Sequence, residues 1–137
     1  MDMAEGFCEV SLGDYDGDEA QFYSERFVAG RKAHRCHECR EAIPAGARQM
    51  VVVGRWDGEF ASYRFCAGCW EVICEFSEHG KTFSVVWEMF RDEWANGATL
   101  QGCLNRLTTV AAKEVMTRQW RQWKRIDRPS SSDSATV

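Results

Sequence analysis

No stretch of this 137-residue chain approaches the roughly 20 consecutive apolar residues of a membrane-spanning helix, which excludes a transmembrane reading. The first residues are acidic and lack an apolar run, so they do not read as a secretory signal. The expected compartment is therefore intracellular and reducing. There, paired cysteines serve metals or redox chemistry more often than structural disulfides. An excess of positive charge is missing too: 17 Lys and Arg stand against 21 Asp and Glu, a formal net charge of −4. That argues against the simplest nucleic-acid binder and against a polybasic membrane-surface protein. The sequence holds no nucleophile–base pair, glycine-rich phosphate loop or paired-carboxylate motif, so the expectation is a protein that is not an enzyme. No internal repeat is visible beyond a doubled CxxC.

What is present suffices for a folded domain. Hydrophobic residues make up 45% and aromatics 12%, enough to drive folding of one domain with a modest core. Charge is segregated. Residues 1–25 carry eight acids and no Lys or Arg, whereas residues 26–112 sum to +1 and residues 113–137 to +3. The expected organisation is an acidic N-terminal segment (1–25), a metal-binding core (26–80), a helical region packed on it (81–128) and a small, polar, disordered tail (129–137).

Hydrophobic periodicity predicts an α+β fold. Residues 22–28 read as a short strand. Residues 48–56 and 59–65 read as a β-hairpin across Asp57-Gly58, because a type I′ turn needs positive φ at both central positions. That register puts Met50, Val52 and Trp56 on one face with Ala61, Tyr63 and Phe65, and Arg55, Ser62 and Arg64 on the other. A helix is expected over 67–78 with Gly80 at its C′ position, and a second over 82–95 with Phe83, Val86, Trp87, Phe90 and Trp94 along one face. Leu100, Leu104 and Leu107 open a third helical segment. Thr108 or Thr109 caps a fourth running to about residue 125, unless the two merge.

Cys36-His37-Glu38-Cys39 and Cys66-Ala67-Gly68-Cys69 are two CxxC pairs with 26 residues between them. Four thiolates suit a tetrahedral, structural Zn²⁺, one per chain, with no position left open for water. The hairpin between the pairs returns the second beside the first. A knuckle, a hairpin and a helix whose first turn carries the last two ligands make a treble-clef-like order. An iron–sulfur site uses the same ligands and stays open as an alternative. Arg31, Lys32, Arg35 and Arg40 either offset the thiolate charge or form a solvated basic stretch. His34 and His37 are minor candidates for a ligand. Together with His79 they do not have the spacing of a treble-clef nuclease site. Cys8, Cys74 and Cys103 fit no ligand spacing and read as small, buried apolar filler.

Two further segments are candidate partner surfaces. Asp14, Asp16, Asp18 and Glu25 match positions 1, 3, 5 and 12 of a calcium loop, but Glu19 stands where the turn needs glycine and no helix is evident upstream, so the run with Asp14, Asp16, Asp18 and Glu19 reads as an acidic surface loop. Arg118, Arg121, Lys124 and Arg125, with Trp120 and Trp123, form a basic, aromatic helix. It would contact an acidic partner or phosphate, or pack its tryptophans on the core.

Residues 31–46 with the first CxxC, the Gly54-Arg55-Trp56-Asp57-Gly58-Glu59-Phe60 turn, Phe65-Cys66-Ala67-Gly68-Cys69 and the upstream Asp14-Tyr15-Asp16-Gly17-Asp18 together resemble a family of small, mostly uncharacterised bacteriophage and prophage zinc proteins with a treble-clef or zinc-ribbon core. The resemblance covers roughly residues 14–75 and implies zinc and a phage setting in the bacterial cytoplasm. The functional expectation is a non-enzymatic protein that binds a host protein or protein–nucleic acid complex, an anti-CRISPR-like inhibitor being a concrete form. The alternatives are a direct nucleic-acid-binding or regulatory zinc protein and a structural homodimer.

Overall fold

The computed structural model describes residues 8, 10, 12, 22–56, 58–77 and 83–127. Five strands precede four helices. The strands are β1 (Phe22–Ala29), β2 (His34–Arg35), β3 (Ala42–Ile43), β4 (Arg48–Trp56) and β5 (Glu59–Cys66). The helices are α1 (Ala67–Phe76), α2 (Val86–Ala95), α3 (Leu100–Leu104) and α4 (Val110–Asp127). The acidic run 14–19, Asp57, the stretch 78–82 with His79 and Gly80, and the tail all lie outside the described residues.

β4 and β5 pair in the expected register, Met50 opposite Phe65 and Val52 opposite Tyr63. Gly58 has a φ of 82°, which the turn requires and a side chain would resist. β1 adds antiparallel to the other edge of β4, Phe27 opposite Met50, giving the order β1-β4-β5. Residues directly opposite share a face, so Met50, Val52, Tyr63 and Phe65 form the core side of the sheet. Phe65 stacks on Trp70 of α1 at 5.7 Å there. β2 and β3 form a second, two-stranded ribbon around the first CxxC.

α1 ends at Phe76, two residues short of the expected end. Ser77 takes extended backbone and bridges Leu12 in parallel, and the Leu12 N–H donates to the Phe76 carbonyl at 2.7 Å. Pairing with a buried N-terminal residue thus ends the helix. α2 starts at Val86 rather than Thr82. Phe83 therefore lies ahead of the helix and packs on Tyr63 (5.2 Å) and Phe65 (5.3 Å) instead of extending the α2 stripe. Val86, Trp87, Phe90 and Trp94 are buried, as the periodicity predicts. α3 and α4 stay separate. Thr99 caps α3 by accepting from the Gly102 N–H, and Thr109 caps α4 by accepting from the Ala112 N–H.

One hydrophobic cluster joins these elements, from Val10 and Leu12 through the sheet and α1 to Met116 of α4. Aromatic contacts run through it in series: Phe76 to Phe90 at 4.9 Å, Phe90 to Trp94 at 5.7 Å, and Trp94 to Trp123 at 5.7 Å. No helix among the described residues is long and apolar enough to cross a membrane.

Candidate metal centre

Both CxxC pairs sit where local backbone geometry presents sulfur. The first lies on the turn between β2 and β3. The Arg40 N–H donates to the Cys36 carbonyl at 3.0 Å and closes the turn, and Arg40 takes a left-handed φ of 66°. In the second, Cys66 is the N-cap of α1, and its sulfur accepts from the Cys69 N–H at 3.4 Å. A knuckle, a hairpin and a helix N-terminus thereby converge.

The Sγ atoms of Cys36, Cys39, Cys66 and Cys69 all lie within 4.8 Å of one another, so the four could hold a metal ion. The Cys39 and Cys66 sulfurs are 3.9 Å apart. Ligand bonds of about 2.3 Å in a tetrahedron require sulfur separations of about 3.8 Å, so the cage suits a single ion. The sulfurs also receive N–H donors, each at 3.4 Å. Glu38 and Cys66 donate to Cys36, and the Trp87 indole donates to Cys69. Such donors stabilise thiolate, as does the N-terminal end of α1.

Without a cation the four thiols compete for protons. Cys36 is held far below the ordinary thiol range, first by donation from Cys39 and then from Cys66 and Cys69. Cys39 and Cys69 are pushed up, each first by its interaction with Cys36. Four simultaneous thiolates need a positive ion among them.

Glu38, inside the first CxxC, was not singled out by sequence. It is buried, and its carboxylate accepts from the N–H groups of Ser84 and, at 3.2 Å, Val86. Val85, the N-cap of α2, makes no side-chain cap, so the knuckle supplies one from 48 residues away. Burial pushes the Glu38 carboxyl up to about 7, against the pull of these two N–H groups. Trp87 was legible only as a core aromatic, and nothing in its spacing signals the contact with Cys69.

The remaining candidates fall elsewhere. His37 accepts the Arg64 N–H on Nδ1 at 2.9 Å, and neither it nor His34 joins the sulfur cluster. The bland reading of the other cysteines is corrected. Cys8 and Cys103 form a disulfide across 95 residues, and Cys74 is exposed. Near this bond, Arg106 donates to the Cys8 and Val10 carbonyls while its guanidinium lies 4.0 Å from the Phe76 ring. Arg118 forms a two-pronged ion pair with Glu41 beside the knuckle, at 3.0 and 3.1 Å. Arg121, Lys124 and Arg125 are exposed. Trp120 and Trp123 are half-buried against the core, which is the packing role, and Lys124 lies 5.6 Å from each ring. The acidic candidates Asp14, Asp16, Asp18 and Glu19 are outside the described residues.

Comparison of the chain with protein-family models, with curated proteins and with solved structures finds no match.

Proposed function

We propose that the chain is a zinc-stabilised binding protein of treble-clef type, in which Cys36, Cys39, Cys66 and Cys69 hold one structural Zn²⁺. The observation that carries this reading is the tight four-sulfur cage, fed by N–H donors from Glu38, Cys66, Cys69 and Trp87. A cage of this size favours one ion over a polynuclear iron–sulfur cluster. Four protein ligands fill a tetrahedron, so the metal's part is to hold the knuckle against α1 rather than to activate water. A metal in that role supports a binding reading. The partner on this reading is a macromolecule. The phage setting and an anti-CRISPR-like role on a host complex rest on the sequence resemblance alone.

Metal analysis of the purified chain tests the reading. It predicts about one zinc per chain, and loss of both zinc and cooperative folding in Cys36→Ser. Stoichiometric iron, or a Cys36→Ser variant that folds as the parent does, would overturn it.

A further inference from the structure

The three-stranded sheet has a second face, and its chemistry differs from that of the core side. By register it carries Arg26 of β1, Val51, Val53 and Arg55 of β4, and Phe60 and Arg64 of β5. Every charged side chain described on this face is an arginine. Arg26, Arg55, Ser62 and Phe60 are exposed, Phe60 by 68%, and Arg55 lies 5.5 Å from the Phe60 ring. The two ion pairs among the described residues, Arg106–Glu75 and Arg118–Glu41, involve none of the three.

The arginines are spaced along the sheet. Arg26 and Arg64 flank Val51 in one cross-strand row, and Arg55 and Phe60 share another, with a Ser24-Val53-Ser62 row between them. Rows two residues apart are about 6.8 Å from each other, so positive charge spans about 13 Å along the sheet face. Arg64 is fixed in place. Its guanidinium donates to Gln49 Oε1 at 3.0 Å, Gln49 is fully buried, and the Arg64 backbone bonds His37 of the knuckle in both directions.

We propose that this face docks a single-stranded polynucleotide, with Arg26, Arg55 and Arg64 meeting phosphates and Phe60 offering a ring for a base to stack on. Evenly spread cations with an exposed aromatic are the combination that single strands use, because every base has a stackable face. A duplex fits worse. The major groove, about 12 Å wide, admits a helix or a two-stranded ribbon, whereas this platform has three strands. The net charge of −4 does not oppose the idea, since residues 1–25 carry −8 and leave the remainder at +4. The proposal rests on the metal-stabilised reading above, because the knuckle that the metal would hold is what fixes Arg64.

Fluorescence anisotropy with a labelled oligothymidylate of about 12 nucleotides tests it, starting near 50 mM salt. Three phosphate contacts predict a log–log salt slope of about −2. The Arg26→Ala/Arg55→Ala/Phe60→Ala variant, all exposed positions, is expected to bind at least about tenfold more weakly while melting as the parent does. An Arg121→Ala/Lys124→Ala variant on α4 is expected to bind as the parent does. The proposal is overturned by no binding at low salt, by equal affinity for a duplex, by displacement with polyglutamate as effective as with unlabelled oligonucleotide, or by loss of binding in the α4 variant alone. Metal content is measured on the same samples. A folded, zinc-loaded chain that ignores the oligonucleotide refutes this inference and leaves the metal reading standing. A chain that binds it without zinc does the reverse.

Discussion

Gly68 stands in the second CxxC at the crossing of α1 and α4. A Cβ built on it would lie 2.6 Å from the Ala111 carbonyl oxygen and 2.9 Å from its carbon, and backbone cannot step aside as a side-chain tip can. Gly68→Ala should therefore destabilise the fold by about 1–3 kcal/mol, read from the denaturation midpoint. Unchanged stability would show that the helices are not in this contact. Arg40 is the opposite case. It holds a left-handed φ of 66°, which costs a residue with a Cβ about 1–2 kcal/mol relative to glycine. Arg40→Gly is expected to raise the denaturation midpoint and Arg40→Val to lower it. That the four cysteines cluster was legible at this scale because CxxC is a local pattern. The strain at Arg40 was not, because nothing in the residue type announces positive φ.

Two helix starts donate hydrogen bonds to residues far away in sequence. Glu38 covers the start of α2, and Glu71 of α1 accepts from the N–H and hydroxyl groups of both Thr108 and Thr109 at the start of α4. Periodicity found these helices yet misplaced the start of α2, since the group that sets it lies 48 residues upstream. The β4–β5 hairpin, by contrast, was readable because its turn and both strands are contiguous. Burial alone would raise the Glu71 carboxyl, but the threonine hydroxyls and N–H groups hold it below 4.5. A lowered carboxyl stabilises the fold above its unfolded value and loses that contribution as pH falls through the folded one. Glu71→Gln should accordingly be less stable than the parent at neutral pH. The gap should close as pH falls below 4.5. A constant gap across that range would show that the carboxylate charge is not what matters. Glu38→Ala removes the α2 cap and should speed amide exchange at Val86 selectively, at a cost of about 1–3 kcal/mol.

Across the whole molecule, the described N-terminal residues are fastened to the helices by the Leu12 pairing at the end of α1 and by two longer ties: the Cys8–Cys103 disulfide, and Arg106, which donates to the Cys8 and Val10 carbonyls while pairing with Glu75 of α1. Neither was readable, because contacts spanning about a hundred residues leave no spacing signature. The reducing compartment expected from sequence makes the disulfide a sharp test. Non-reducing mass spectrometry should find the Cys8–Cys103 pair, and Cys8→Ser should lose about 2–4 kcal/mol of stability. Finding free thiols at both positions would remove the disulfide from the account. The total charge proved a poor guide to surfaces, since arginines of opposite strands gather on one sheet face only once β1, β4 and β5 are in register.

On the proposed reading, four cysteines from a knuckle and a helix N-terminus enclose one zinc ion. X-ray absorption at the zinc edge on the purified chain measures it directly. About one zinc per chain is expected, bound by four sulfurs at about 2.3 Å and by no nitrogen or oxygen. A first shell containing a histidine nitrogen or a water oxygen, or iron in place of zinc, would contradict it.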